Sequence, residues 1–122
     1  MTAVDYYDDA SAEVAMGNLE AAVALYRKAV ETDPEFVDGW QALCMACIKT
    51  GHFAEAIEAG KMATHLQPND QIGWTSLSLA YVRNDQIPEA EAAGAKAKVI
   101  SWGGKVAAEG ERFDHSRLMG ET

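Results

Sequence analysis

The stretch that decides the fold is Gly39–Pro68, "GWQALCMACIKTGHFAEAIEAGKMATHLQP". Trp40, Leu43, Cys44 and Cys47 fall on one helical face by steps of three and four. Gly51 then stands where a helix ends most cheaply, at a position that wants a left-handed residue. A second apolar stripe follows, with Ala56 and Ala63 inward and Leu66 near its end. Pro68, with Asn69 and Asp70, stops that helix, because proline lacks the N–H a helix interior needs. The stretch is one helix–turn–helix unit.

Shifting the chain by 34 residues lays this unit on its neighbours. Gly17 falls on Gly51, Pro34 on Pro68, Gly39-Trp40 on Gly73-Trp74 and Leu43 on Leu77. Three small columns recur in every copy: Ala12/Ala46/Ala80, Ala22/Ala56/Ala90 and Ala29/Ala63/Ala97. Antiparallel helices that cross closely leave room only for small side chains at the crossing. The copies span residues 3–36, 37–70 and 71–104 of a single domain, followed by a tail, 105–122. Copy one turns at Gly17-Asn18, and copy three at Asn84-Asp85, with Pro88 in the first turn of its second helix.

These columns resemble the tetratricopeptide repeat family, whose pattern is W-x2-L-G-x2-Y, then A-x3-F, then P. Copy two supplies Trp40, Leu43, Cys44, Cys47, Ala56, Gly60 and Pro68. Copy three supplies Trp74, Leu77, Ser78, Tyr81, Ala90 and Gly94, with Trp102 in place of proline. Copy one departs most, with Tyr6, Asp9, Ala10, Glu13, Ala22, Tyr26 and Pro34. Its first helix is the end of the stack, where polar residues cost less. The resemblance implies an all-α, right-handed α-solenoid of three repeats. The tail is expected to add a C-terminal capping helix over residues 105 to about 119, with Val106 and Phe113 as apolar anchors. The alternative is a segment that docks into another chain.

Composition narrows the function. The 122 residues are 48% hydrophobic, enough for a packed core, and carry a formal net charge of −9. That balance argues against nucleic acid, which needs Lys and Arg against phosphate, and against a basic membrane-surface helix. Residues 1–36 hold eight acids against two bases, an acidic end that solvates the chain or meets a basic partner. No leader pattern or membrane-length apolar run is present, so a soluble, cytoplasmic protein is expected.

Catalysis is not expected. The chain holds no HExxH, no phosphate-binding glycine loop and no G-x-S-x-G, and His52, His65 and His115 fall on a turn, a second helix and the tail. Cys44 and Cys47 have CxxC spacing, but they lie mid-helix, away from the helix N-terminus that activates redox thiols. With His52 they make three ligands where structural zinc wants four. They read as small apolar filler, so no metal or cofactor is expected. A metal- or thiol-dependent sensor is the alternative.

The resemblance implies that the first helices line a concave groove that holds a peptide or helix of a protein partner. Its columns here are Tyr7 and Ser11, with Val4 and Val14, from copy one. Copy two gives Asp38, Gln41, Met45, Ile48 and Lys49, and copy three gives Ile72, Thr75, Leu79, Val82 and Arg83. Met45, Ile48, Leu79 and Val82 make an apolar middle, suited to an amphipathic helix. One subgroup of the family clamps the C-terminal carboxylates of heat-shock chaperones with Lys, Asn and Arg. The corresponding positions here are Tyr7, Ser11, Ala42, Ile72 and Ser76, and none matches. Cover by the chain's own tail, or self-assembly through the tail or the acidic end, are the alternatives to a foreign partner.

Overall fold

Thr2 opens the first helix with a reciprocal cap: its Oγ1 accepts from the Asp5 N–H at 3.2 Å, and the Asp5 carboxylate accepts from the Thr2 N–H at 2.9 Å. From there the computed structural model, which describes residues 1–106, is helical. The helices are α1 (Ala3–Ala15), α2 (Leu19–Thr32), α3 (Val37–Thr50), α4 (Phe53–Leu66), α5 (Gln71–Arg83) and α6 (Ile87–Ser101), with no strand among the described residues. The expected capping helix falls, from residue 107 onward, outside the described residues.

The turns within the pairs follow one column. Gly17 and Gly51 take φ +83° and +84°, and Asp85 takes the same left-handed turn at φ 60°. Aspartate tolerates that region better than most residues with a side chain, which is why Asn84-Asp85 can stand where the other copies use glycine.

Each helix packs on the next, and α3 also packs on α5, so the first helices of the second and third pairs lie side by side. Ala22, Ala29, Ala56, Ala63, Ala90 and Ala97 are all buried, as close helix crossings demand. In the remaining small column Ala46 and Ala80 are buried, whereas Ala12 is exposed on the first helix of the stack. Leu43, 2% exposed, is the largest fully buried side chain, and its burial contributes roughly 1.5–3 kcal/mol. The result is an all-α solenoid of helix–turn–helix pairs.

Two further columns acquire a physical meaning. The indole N–H of Trp40 donates to the Pro34 carbonyl at 2.8 Å, and that of Trp74 donates to the Pro68 carbonyl at 2.7 Å. The proline that ends one pair is thus pinned to the first helix of the next. The first two pairs are also tied at the surface. Arg27 Nε and Nη2 donate to the two Glu55 carboxylate oxygens at 2.8 Å each, and His52 meets Glu20 at 3.0 Å. Thirty-four residues on, these columns hold Lys61, Glu89, Gln86 and Ala54, and Lys61 lies 3.8 Å from Glu58 of its own helix.

Candidate functional site

The expected groove residues divide into three sets. Asp38, Lys49, Ile72, Thr75, Val82 and Arg83 are exposed; Tyr7, Ser11, Gln41, Met45 and Leu79 are half-buried; Ile48 is buried. Ile48, 4% exposed, sits in the core cluster with Leu43 and Cys47. It supports the face from beneath and is not open to a partner. Val82, one repeat later in the same column, stands exposed by contrast.

The half-buried residues are fixed by neighbours. Tyr7 stacks edge-on against Phe36 at 5.4 Å and tilts over Tyr26 at 5.5 Å. Burial, with Tyr26 beside it, pushes the Tyr7 hydroxyl above its ordinary pKa. Ser11 shares a 3.1 Å hydrogen bond with the Tyr26 hydroxyl. Gln41 Nε2 donates to one oxygen of Asp70 at 2.8 Å, while the other oxygen accepts the Ile72 N–H at 3.1 Å and caps α5. Asp70 therefore couples α3 to the start of α5 across the site. The groove pattern does not single it out, although its place after Pro68-Asn69 marks it as a helix cap. Met45 and Leu79 rest against the core and leave only part of their surface free.

What remains open is concentrated on α5. Ile72 is 63% exposed and Val82 is 47% exposed. Thr75, Leu79 and Val82 line a cavity of about 440 Å³ together with Gln71, Ser78 and residues of α6. Lys49 and Arg83 stand in the last turns of α3 and α5, and Asp38 in the first turn of α3. The face thus carries exposed apolar side chains, positive charge at one end and negative charge at the other.

The two cysteines lie behind this face. Both are free and fully buried, and the Cys44 thiol sits 3.8 Å from the Ser76 carbonyl. Burial pushes the Cys44 thiol up to about 12. Burial and then the Glu55 carboxylate push Cys47 up to about 12 as well. The Arg27 hydrogen bonds hold the Glu55 carboxyl below its usual value. His52 faces Glu20. Among the described residues no group of three or more His, Cys, Asp and Glu side chains is placed to hold a metal ion. Among them, too, no helix is long and apolar enough to cross a membrane.

Known structures share this architecture. MamA superposes with a TM-score of 0.78 at 24% identity, covering 84% of this chain and 60% of the MamA chain. The first tetratricopeptide domain of Spaghetti (RPAP3), bound to the HSP90 peptide SRMEEVD, superposes at 0.76 with 16% identity, covering 81% of this chain and 79% of that one. A chain of the CopN–Scc3 complex superposes at 0.76 with 17% identity, covering 80% of this chain and 58% of that one. The chain thus spans 60% of the length of the MamA chain it matches. A comparison with curated proteins finds no match. The tetratricopeptide repeat model matches residues 13–79, more than half of the 122 residues. With the helix pairs, the small columns and the repeated tryptophan–proline bonds, this shows that the chain belongs to the tetratricopeptide repeat family.

Proposed function

We propose that the chain is a non-catalytic interaction scaffold that takes a peptide or amphipathic helix of a partner protein on the face of its first helices. One observation carries the reading. Ile72 and Val82, two large apolar side chains, stand 63% and 47% exposed on the same helix, ten residues apart in sequence. Together they offer a partner two apolar anchor points on one helix, as exposed apolar side chains at contact sites do. Half-buried Met45 adds an adaptable thioether surface beside them. The structural relatives include a domain bound to a peptide and a chain in a protein complex, which supports partner binding as the class of function.

The ligand's chemistry follows from the face. Lys49 and Arg83 favour an acidic group near the ends of α3 and α5, and the apolar stretch favours Leu, Met or Phe anchors. A terminal-carboxylate clamp finds no Lys, Asn or Arg at Tyr7, Ser11, Ala42, Ile72 or Ser76. The test is a peptide selected from a random library on the full chain, titrated calorimetrically. Ile72→Glu with Val82→Glu is expected to weaken it at least about a hundredfold, as loss of two buried anchors implies. Unchanged circular dichroism keeps that result specific, because both side chains are exposed. The peptide SRMEEVD is expected not to bind. Full affinity in the double variant contradicts the reading.

A further inference from the structure

In each of the first two helix pairs, one flat side is covered by the next pair. A Cβ placed on Gly60 of α4 would stand 3.0 Å from Leu77 Cδ1, so α5 sits directly on that helix. The same column in the third pair is Gly94 of α6. Among the described residues, a Cβ there meets only the Ser78 hydroxyl, at 3.5 Å. Among the described residues, none fills over Gly94 the space that Leu77 fills over Gly60. It forms a shallow cavity of about 540 Å³ whose lining includes Ser78, Val82, Ile87, Glu91, Gly94 and Lys98.

Through residue 106 the chain does not turn onto this side. The Val106 N–H donates to Asn69 Oδ1 at 2.8 Å, and Val106 lines a cleft with His65 of α4 and Trp74 of α5. That cleft lies on the α4 side of the last pair, opposite the open face.

Charge identifies what the face fits. Glu91 and Lys98 are seven residues apart, two helical turns, and line the same cavity. Both are exposed, and neither forms an ion pair with another described residue. The midpoint between them falls on Gly94-Ala95, where small residues permit close approach. A second α6 laid antiparallel about that midpoint puts each Glu91 opposite a Lys98. The same register brings Ile87, 45% exposed, opposite Trp102 of the second copy, 77% exposed. A face that matches itself under a two-fold rotation is what a symmetric dimer requires.

We infer that the open α5–α6 face is a self-association surface on which α6 packs antiparallel against α6 of a second copy, crossing at Gly94-Ala95. This surface adjoins the face of the first helices and shares Ser78, Val82, Gly94 and Lys98 with it, and the residues that test it lie on α6 and just beyond it.

Sedimentation equilibrium on the full chain tests it, with expected masses of 13.2 kDa and twice that value. The wild type is expected to dimerise with a Kd below about 100 μM. Lys98→Glu alone and Glu91→Lys alone are each expected to weaken the dimer about tenfold or more, since each sets like charges opposite one another twice. Mixing those two variants in equal amounts restores both pairs and is expected to restore the dimer, as is combining both changes in one chain. Trp102→Ser, at an exposed position, is expected to weaken it by a similar factor. A wild type that stays monomeric to about 100 μM overturns the inference, including the case in which residues 107–122 cover the face in the same chain. A dimer indifferent to the charge swaps and to Trp102→Ser overturns it as well.

Discussion

Thiol reagents are expected to modify Cys44 and Cys47 at least about a thousandfold more slowly in the folded chain than in the unfolded one. The thiolate is the reactive species, and burial raises both thiols from the ordinary value of 9.0 to about 12. Three pH units reduce the thiolate present near pH 8 by about three powers of ten. Full burial adds to this by denying the reagent access. The direction of the pH dependence follows: reactivity continues to rise above about pH 11, where an ordinary thiol has levelled off. The check is the rate of thionitrobenzoate release from Ellman's reagent with and without guanidinium. Two thiols should appear promptly on denaturation and almost none before it. Prompt reaction of either cysteine in the native chain would revive the thiol-sensor reading of the CxxC spacing.

Gly60→Phe, which installs the aromatic that the family pattern carries in this column, is expected to destabilise the chain by about 3 kcal/mol. The first carbon of the new side chain already falls 3.0 Å from Leu77 Cδ1, 3.2 Å from its Cβ and 3.3 Å from its Cα. The last of these is backbone, so relief requires α5 to move away from α4 and to give up burial of Leu77 and Thr64. The same substitution at Gly94, where among the described residues a Cβ meets only the Ser78 hydroxyl at 3.5 Å, is expected to cost less than about 1 kcal/mol. Urea unfolding of dilute protein compares the two. Equal losses at both sites would show that α4 and α5 are not in the close contact described.

The repeat was legible because its punctuation is local. Gly17 and Gly51 end their helices by a left-handed turn, and Pro34 and Pro68 end theirs by a missing donor, so a 34-residue shift exposes the architecture. Asp85 shows how far that punctuation stretches: the third copy keeps the left-handed conformation with a different residue. The columns of the expected groove can be read from the sequence, but their exposure cannot. Ile48 and Val82 occupy one column, yet the first is buried, while the second, on the last described pair, stands exposed. A helical wheel cannot carry that difference, since it arises from contacts between repeats. The tie from Arg27 to Glu55 was equally hidden, because Lys61 and Glu89 hold the same columns one repeat later without repeating the pair. Asp70 joined the site for a related reason: its cap is local, but its bond to Gln41 crosses 29 residues.

The claim at the centre is that the first helices present the binding face. Amide chemical-shift mapping of the isotopically labelled chain, titrated with a library-selected peptide, tests it most directly. Perturbations are expected to concentrate on α3 and α5, strongest from Ile72 to Val82 and at Met45 and Lys49, with α2 and α4 nearly silent. Perturbations centred on α2 and α4, with α3 and α5 unmoved, would contradict it.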